Sequence, residues 1–153
     1  MSARENLKKL DIKLPSAPMP VGSYVAYQKV GGLIFISGQL SLKSNGVLIK
    51  GKLGLDLTLE QGQEAAYFCA INILSQAQAA CDGDLDKIKS CIKITGFVNS
   101  SSEFIDQPKV INTASELLVK TFNESGKHAR AAVSVNSLPL GAAVEIEAIF
   151  EVS

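Results

Sequence analysis

The pattern of apolar and polar positions along this chain changes period at glycines, prolines and capping residues, and each change marks an element. The clearest case lies at the end. From Val144 to Val152 the residues alternate, with Glu145, Glu147, Ile149 and Glu151 on one side and Val144, Ile146, Ala148, Phe150 and Val152 on the other. A period of two is the mark of a strand with unlike faces. Upstream, Arg130 leads into the β-prone run Ala131–Val135, and a turn over Asn136–Gly141 separates the two segments. They read as neighbouring, paired strands, one with a cation at its mouth and the other lined by carboxylates.

Residues 1–13 are charged, with a weak amphipathic pattern at Leu7 and Leu10 that predicts at most a short helical turn. Pro15, Pro18 and Pro20 forbid a regular helix and favour extended chain. Ser23–Val30 and Leu33–Leu40 read as strands joined by Gly31-Gly32, a two-residue hairpin signal. Leu33–Ser37 is apolar enough to expect cover on both faces. Glycines 46, 51 and 54 punctuate Leu42–Asp56, with a short strand predicted at Val47–Ile49. Thr58 and Gln61 form a capping-box pattern, and the stripe Ala66, Cys69, Ala70, Ile73, Ala77 predicts a helix to about Ala80. Cys91–Asn99 is apolar at both parities and reads as a central strand. Gln107–Asn123 predicts a second helix, with Pro108 in its first turn.

The order β-β-(β)-α-β-α-β-β has no internal repeat or linker, and it predicts a single domain over residues 1–153, of which 1–20 form an N-terminal extension. Two helices suffice to cover one face of a mixed sheet. The other face needs a second cover, and the cheapest is another copy of the chain.

Composition adjusts this picture in three ways. Hydrophobic residues make up 46% and charged residues 20% of 153 positions, which fits apolar surface buried between subunits. Fifteen basic and fifteen acidic residues cancel, so no net field draws the chain to nucleic acid or anionic lipid. Cys69, Cys81 and Cys91 are odd in number and without C-x-x-C spacing, and there is one histidine, so no metal site is expected. The cysteines read as reduced and buried. No secretory leader pattern and no membrane-spanning run is seen, which makes a cytoplasmic location the expectation.

Gly22-Ser-Tyr24, Phe35-Ile-Ser37-Gly38-Gln39, Lys93–Val98, Val110-Ile-Asn112, Ala129-Arg130, Leu138-Pro139 and Val144-Glu145-Ile-Glu147-Ala148 occur in this order. Together they resemble the RidA (YjgF/YER057c/UK114) family of enamine/imine deaminases, over roughly residues 20–152, with the extra length of a long-form member. The resemblance implies an α+β, chorismate-mutase-like fold: a mixed sheet with two helices on one face, and a homotrimer whose sheets close a central β-barrel with ligand clefts between neighbours. It places the carboxylate-binding arginine at Arg130, the acid at Glu145, the cleft tyrosine at Tyr24, and further binding positions at Ser37, Asn112 and the backbone carbonyl of Ala132. Two positions depart from the family. His128 stands where the family has proline, and Ala132 where it commonly has cysteine, so thiol chemistry at that position is excluded.

These residue types suit hydrolysis of 2-imino acids formed from 2-aminoacrylate-type enamines. An arginine clamps the carboxylate with paired hydrogen bonds, and a glutamate activates water at the C=N carbon. Neither a metal nor an organic cofactor is required. Periodicity by itself cannot choose Glu145 over Glu147; the resemblance makes that choice. On residues alone, Arg130 reads better as a structural ion pair with one of those acids, and the resemblance turns it into a ligand-binding residue. Tyr24 and Asn112 read as packing, Ser37 as turn chemistry, and His128 as a cleft-rim residue. A non-catalytic carrier of small 2-oxo or amino carboxylates is the alternative function. Endoribonuclease activity, a label some relatives carry, is disfavoured by zero net charge, one histidine and 6% aromatics.

Overall fold

The computed structural model describes residues 1–153, and its elements follow the predicted order. Helix α1 spans Ala3–Lys9, strand β1 Tyr27–Val30, β2 Leu33–Leu40, helix α2 Leu59–Ala80, β3 Ile88–Asn99, α3 Gln107–Phe122, β4 Ala129–Val135 and β5 Val144–Val152. The five strands form one sheet in the order β1-β2-β5-β3-β4. All pairings are antiparallel except β3 with β4, which run parallel on either side of the α3 crossover. The architecture is therefore α+β, a mixed sheet with α2 and α3 against one face.

Local chemistry explains most boundaries. Thr58 caps α2 as predicted: its side chain accepts from the Gln61 amide, and Gln61 reaches back to the Thr58 amide. Gly31, at φ 56°, turns the β1–β2 hairpin, where Val30 faces Leu33. The first residues form a true helix with its own capping box at Ser2 and Glu5. Leu7 is buried in the common core, and Asn6 Nδ2 donates to the Thr121 carbonyl at 2.9 Å.

Three expectations need correction. The Arg130 strand and the Glu145 strand do not pair; β3 lies between them. The 136–143 connection is too long for a tight hairpin. The β5 side chains Val144, Ile146 and Phe150 are fully buried, which fits the central slot, where the backbone is paired on both edges. Val47–Ile49 forms no strand, only isolated bridges such as Leu42 to Leu48, because Gly46 and Gly51 at φ 88° and 125° interrupt the extended backbone. Strand β1 starts at Tyr27, four residues later than Ser23. The second face of β2 and β3, for which cover from another copy is expected, is bare within the chain. On that face Phe35 and Ile92 are each 41% exposed and Val133 44%.

The core lies between the sheet and the two long helices. Gly96 lets α3 approach: a Cβ there would meet Ile111 Cδ1 at 2.5 Å. The small residues Ala66, Ala70 and Ala77 do the same for α2 and are all fully buried.

Candidate functional site

The predicted site residues fall into two separate groups on the sheet. The first is built on β4 and α3. Strand β4 is the outer strand, paired only with β3, so its other backbone edge has no partner within the chain. Arg130 faces Ile94, a core residue of β3, and therefore points to the helix side. Its Nη1 donates to Asn112 Oδ1 at 2.8 Å and to Ser115 Oγ at 3.2 Å, both on α3. Asn112 and Ser115, three residues apart, share a helix face. No carboxylate pairs with Arg130; the five ion pairs of the structure all lie elsewhere. The structural ion pair with Glu145 or Glu147 is thus absent. Ala132, opposite Gly96, shares the helix-facing parity of Arg130.

Sequence reasoning missed Ser115 and placed His128 at a cleft rim without its partners. The Gly126 carbonyl can only accept, so His128 Nδ1, 2.6 Å away, carries the ring hydrogen. In the neutral ring Nε2 then accepts from Ser115 Oγ, 2.9 Å away, and that oxygen accepts from Arg130. His128 is therefore the far end of a chain of hydrogen bonds that ends on the guanidinium. The one sequence signal was Ser115 three positions after Asn112 on the same helix face.

The second group is built on β2, β5 and the segment before β1. Glu145 lies opposite Leu40 on β2 and Phe97 on β3, on the face away from the helices. The β2 register slips between Ile36 and Gln39, and Gly38 sits in that irregularity. Its missing side chain matters, because a Cβ on Gly38 would stand 2.8 Å from Glu145 Cδ. Ser37 ties in the preceding segment: its amide donates to the Ala26 carbonyl and its hydroxyl to that of Val25, at 2.7 Å. Tyr24 Oη accepts from the Val21 amide at 3.3 Å, and its ring stays 47% exposed. Tyr24 and Gly38 both line a cavity of about 700 Å³.

Glu145 and Glu147 of β5 separate chemically. Burial pushes the Glu145 carboxyl above the usual range, and the neighbouring Glu147 charge adds to it. Glu147 is exposed. The cysteines are free and buried, and burial pushes the Cys91 thiol up to about 12. Cys69 is also raised, by burial first and then by the nearby Glu145 charge. No helix is long and apolar enough to cross a membrane.

Arg130 on the outer strand β4 and Glu145 on the central strand β5 thus lie on opposite faces of one sheet, and a single chain does not bring them together. What it offers is a cation held ready at one edge and an acid on the bare face, packed against Gly38 of β2.

The family model "YjgF/chorismate mutase-like, putative endoribonuclease" matches residues 5–151. Protein TCP17 of Trypanosoma cruzi is 47% identical over 149 residues, covering 97% of this chain and 92% of its own. A 2-iminobutanoate/2-iminopropanoate deaminase of Mus musculus is 30% identical, over 90% of this chain and 87% of its own. Among solved structures, the Agrobacterium tumefaciens protein Atu1372 superposes with a TM-score of 0.90 at 44% identity, over 99% of this chain and 94% of its own.

Proposed function

This chain belongs to the YjgF/chorismate mutase-like family, and from that membership and the divided site we propose that it is a 2-imino acid deaminase of the RidA type. It hydrolyses the imines that arise from 2-aminoacrylate-type enamines to 2-oxo acids and ammonia. The observation that carries the reading is Arg130, a guanidinium with no carboxylate partner, held by two hydrogen bonds at an open strand edge. Such a group is oriented for a carboxylate supplied from outside the chain.

The working site is formed between copies. Three chains associate through the bare sheet face that carries Phe35, Ile92 and Val133. The β4–α3 edge of one chain then meets the Glu145 region of its neighbour. Arg130 clamps the substrate carboxylate, with Asn112 holding the guanidinium in place. The backbone carbonyl of Ala132 accepts from the iminium nitrogen. Tyr24 and Ser37 shape the opposite wall from the partner chain.

Glu145 takes a proton from water as the oxygen bonds to the C=N carbon, and the imine nitrogen becomes an amine on a tetrahedral carbon. The carboxyl returns that proton to the nitrogen, and as the C–N bond breaks the hydroxyl on the same carbon gives its proton to the Glu145 carboxylate, which passes it to the departing ammonia and leaves a 2-oxo acid. One water is consumed per ammonia released. The raised proton affinity of Glu145 suits a group that takes up and returns a proton in one cycle.

The test generates 2-iminobutyrate with a dehydratase and follows its disappearance with wild type, Arg130→Ala and Glu145→Gln. Loss of turnover in both variants is expected. Full activity in Arg130→Ala would refute the clamp. Binding of 2-oxobutyrate with no turnover by the wild type would make the protein a carrier of small carboxylates.

A further inference from the structure

The cavity beside Glu145 carries more information than the general reaction uses. It is about 700 Å³, and its walls come from the proline-rich segment before β1, the end of β2, the 42–50 segment and the buried face of α2. Most of the wall is apolar, including Met19, Leu42, Val47 and Leu48. Two amide side chains of α2 interrupt it: Asn72, 3% exposed, and Gln76, 2% exposed.

The orientation of both amides is fixed by their partners. Asn72 Nδ2 donates to the carbonyls of Leu42 at 2.9 Å and Leu40 at 3.3 Å. Gln76 Nε2 donates to the Pro18 carbonyl at 2.7 Å and more weakly to Gln39 Oε1 at 3.4 Å. Carbonyl oxygens cannot donate, so in each amide the nitrogen must face the protein and the oxygen must face away. Neither Asn72 Oδ1 nor Gln76 Oε1 receives a hydrogen bond from the chain, and neither is sealed from solvent-sized access. They are two acceptors without a donor from the chain, in a chamber whose other polar lining side chains are Gln39, Tyr24 and Lys50. The only charged lining residue is Lys50, so the cavity holds no acid to neutralise a cationic ligand.

We propose that this cavity receives the side chain of the substrate, and that it selects 2-imino acids with an apolar body ending in an uncharged hydrogen-bond donor, such as a phenol. The inference rests on the deaminase reading for the reacting end. Gly38 and Tyr24 line the cavity, and Gly38 also abuts the Glu145 carboxylate, so one glycine of β2 links the chamber to the acid. The single O–H of such a ligand donates to one of the two α2 oxygens. A ligand of the same shape without it displaces the water there and leaves both oxygens unpaired, a strong form of discrimination.

The imines of tyrosine and phenylalanine test this, since they differ by one hydroxyl. Both are generated by an amino acid oxidase and followed with wild type and Val47→Trp, alongside 2-iminobutyrate. Val47 is 56% exposed at the cavity wall, so a larger side chain there fills the chamber without entering the core. The wild type is expected to favour the tyrosine imine by about tenfold in kcat/KM. Val47→Trp should lose that imine and keep 2-iminobutyrate. Equal or better use of the phenylalanine imine, or an unchanged tyrosine imine rate in Val47→Trp, overturns the proposal. Calorimetric titration of the two matching 2-oxo acids separates the failures. If no imine is turned over but the hydroxylated acid binds wild type selectively and Val47→Trp weakly, the deaminase reading falls and the cavity assignment stands. If neither acid binds, the cavity assignment falls as well.

Discussion

Gly38 and the Glu145 carboxylate occupy one volume: a Cβ added to Gly38 would lie 2.8 Å from Glu145 Cδ and closer still to Oε2. The glycine of β2 therefore fixes where the acid of β5 can sit. The Gly38→Ala substitution must push the carboxylate aside, and because the obstacle is the end of a flexible side chain, the fold should tolerate it. Imine turnover is expected to fall by about tenfold or more, on the scale of a misplaced general base. A thermal melt and a kcat measurement on one sample check both halves. Unchanged turnover with a displaced Glu145 would remove that residue from the reaction.

Glu145 also predicts a pH dependence. Its carboxyl is raised first by burial and then by the Glu147 charge. If ionised Glu145 activates water, activity falls as pH drops through its raised pKa. The Glu147→Gln substitution removes the second cause and leaves the first, so the acid limb of the kcat/KM profile should move to lower pH without reaching the ordinary carboxylate value. The stability consequence follows the same sign. A pKa raised by folding contributes stability below the unfolded value and loses it as pH rises through the folded value. Glu145→Gln should therefore raise the melting temperature at neutral pH, and that gain should vanish in acid. A limb that does not move with Glu147→Gln would assign it to another group.

Much of this was legible in the sequence, for physical reasons that differ by element. Capping at Thr58, the glycine pair at Gly31-Gly32 and the alternation of β5 are local signals, and local signals fix local structure. Strand neighbours are not local. The alternation of Val144–Val152 says which side chains share a face but not which strand lies alongside, and β4 and β5, adjacent in sequence, turned out to be separated by β3. The same limit hid the hydrogen-bond chain from His128 through Ser115 to Arg130. His128 and Ser115 are 13 residues apart and meet only because α3 returns the chain to β4. Gln76 of α2 is buried because the proline-rich segment lies against it, Pro18 accepting from its Nε2, and Asn72 because the end of β2 does so, contacts that no helical periodicity reveals.

The grip on Arg130 makes a graded prediction. Asn112 Oδ1 and Ser115 Oγ both accept from Nη1, so they orient the guanidinium without neutralising it. Arg130→Ala should weaken 2-oxobutyrate binding by about a hundredfold, the loss of a bidentate charged contact. Asn112→Ala and Ser115→Ala should each weaken it by about tenfold or less, and should act mainly on KM. Arg130→Lys keeps the charge but loses the fork, and is expected to fall near the alanine variant. Calorimetry on the five proteins gives the ranking. Wild-type affinity in Arg130→Lys would mean that charge alone suffices.

The fold has its own critical glycine. At Gly126 a Cβ would collide with the Leu118 carbonyl oxygen and stand 2.7 Å from Val119 Cα, both main-chain atoms of α3. Backbone cannot rotate out of the way as a side chain can, so Gly126→Ala must shift the end of α3 relative to the start of β4. A destabilisation of about 2 kcal/mol or more is expected, in the range for overpacking a closed site. Urea unfolding monitored by circular dichroism measures it. Gly83→Ala, at a positive φ of 88° with nothing within 4 Å, is the control for conformational strain without collision.

The separation of Arg130 and Glu145 within one chain leads to the most demanding prediction. Arg130 faces the helices from the outer strand β4, while Glu145 lies on the bare face of the central strand β5. If both act on one substrate, they come from different copies. Arg130→Ala and Glu145→Gln homotrimers should each be inactive. When the two are unfolded, mixed in equal amounts and refolded together, an interface that joins the intact arginine of one chain to the intact glutamate of the other regains a complete site. Random assembly produces such interfaces about a quarter of the time, so about a quarter of wild-type activity should return. A site contained within one chain would recover nothing, since every chain in the mixture carries a defect. Sedimentation of the mixture, together with that of a Val133→Asp variant designed to break the bare-face contact, links recovered activity to assembly. Activity that persists in a monomeric Val133→Asp protein would place the whole reaction within one chain.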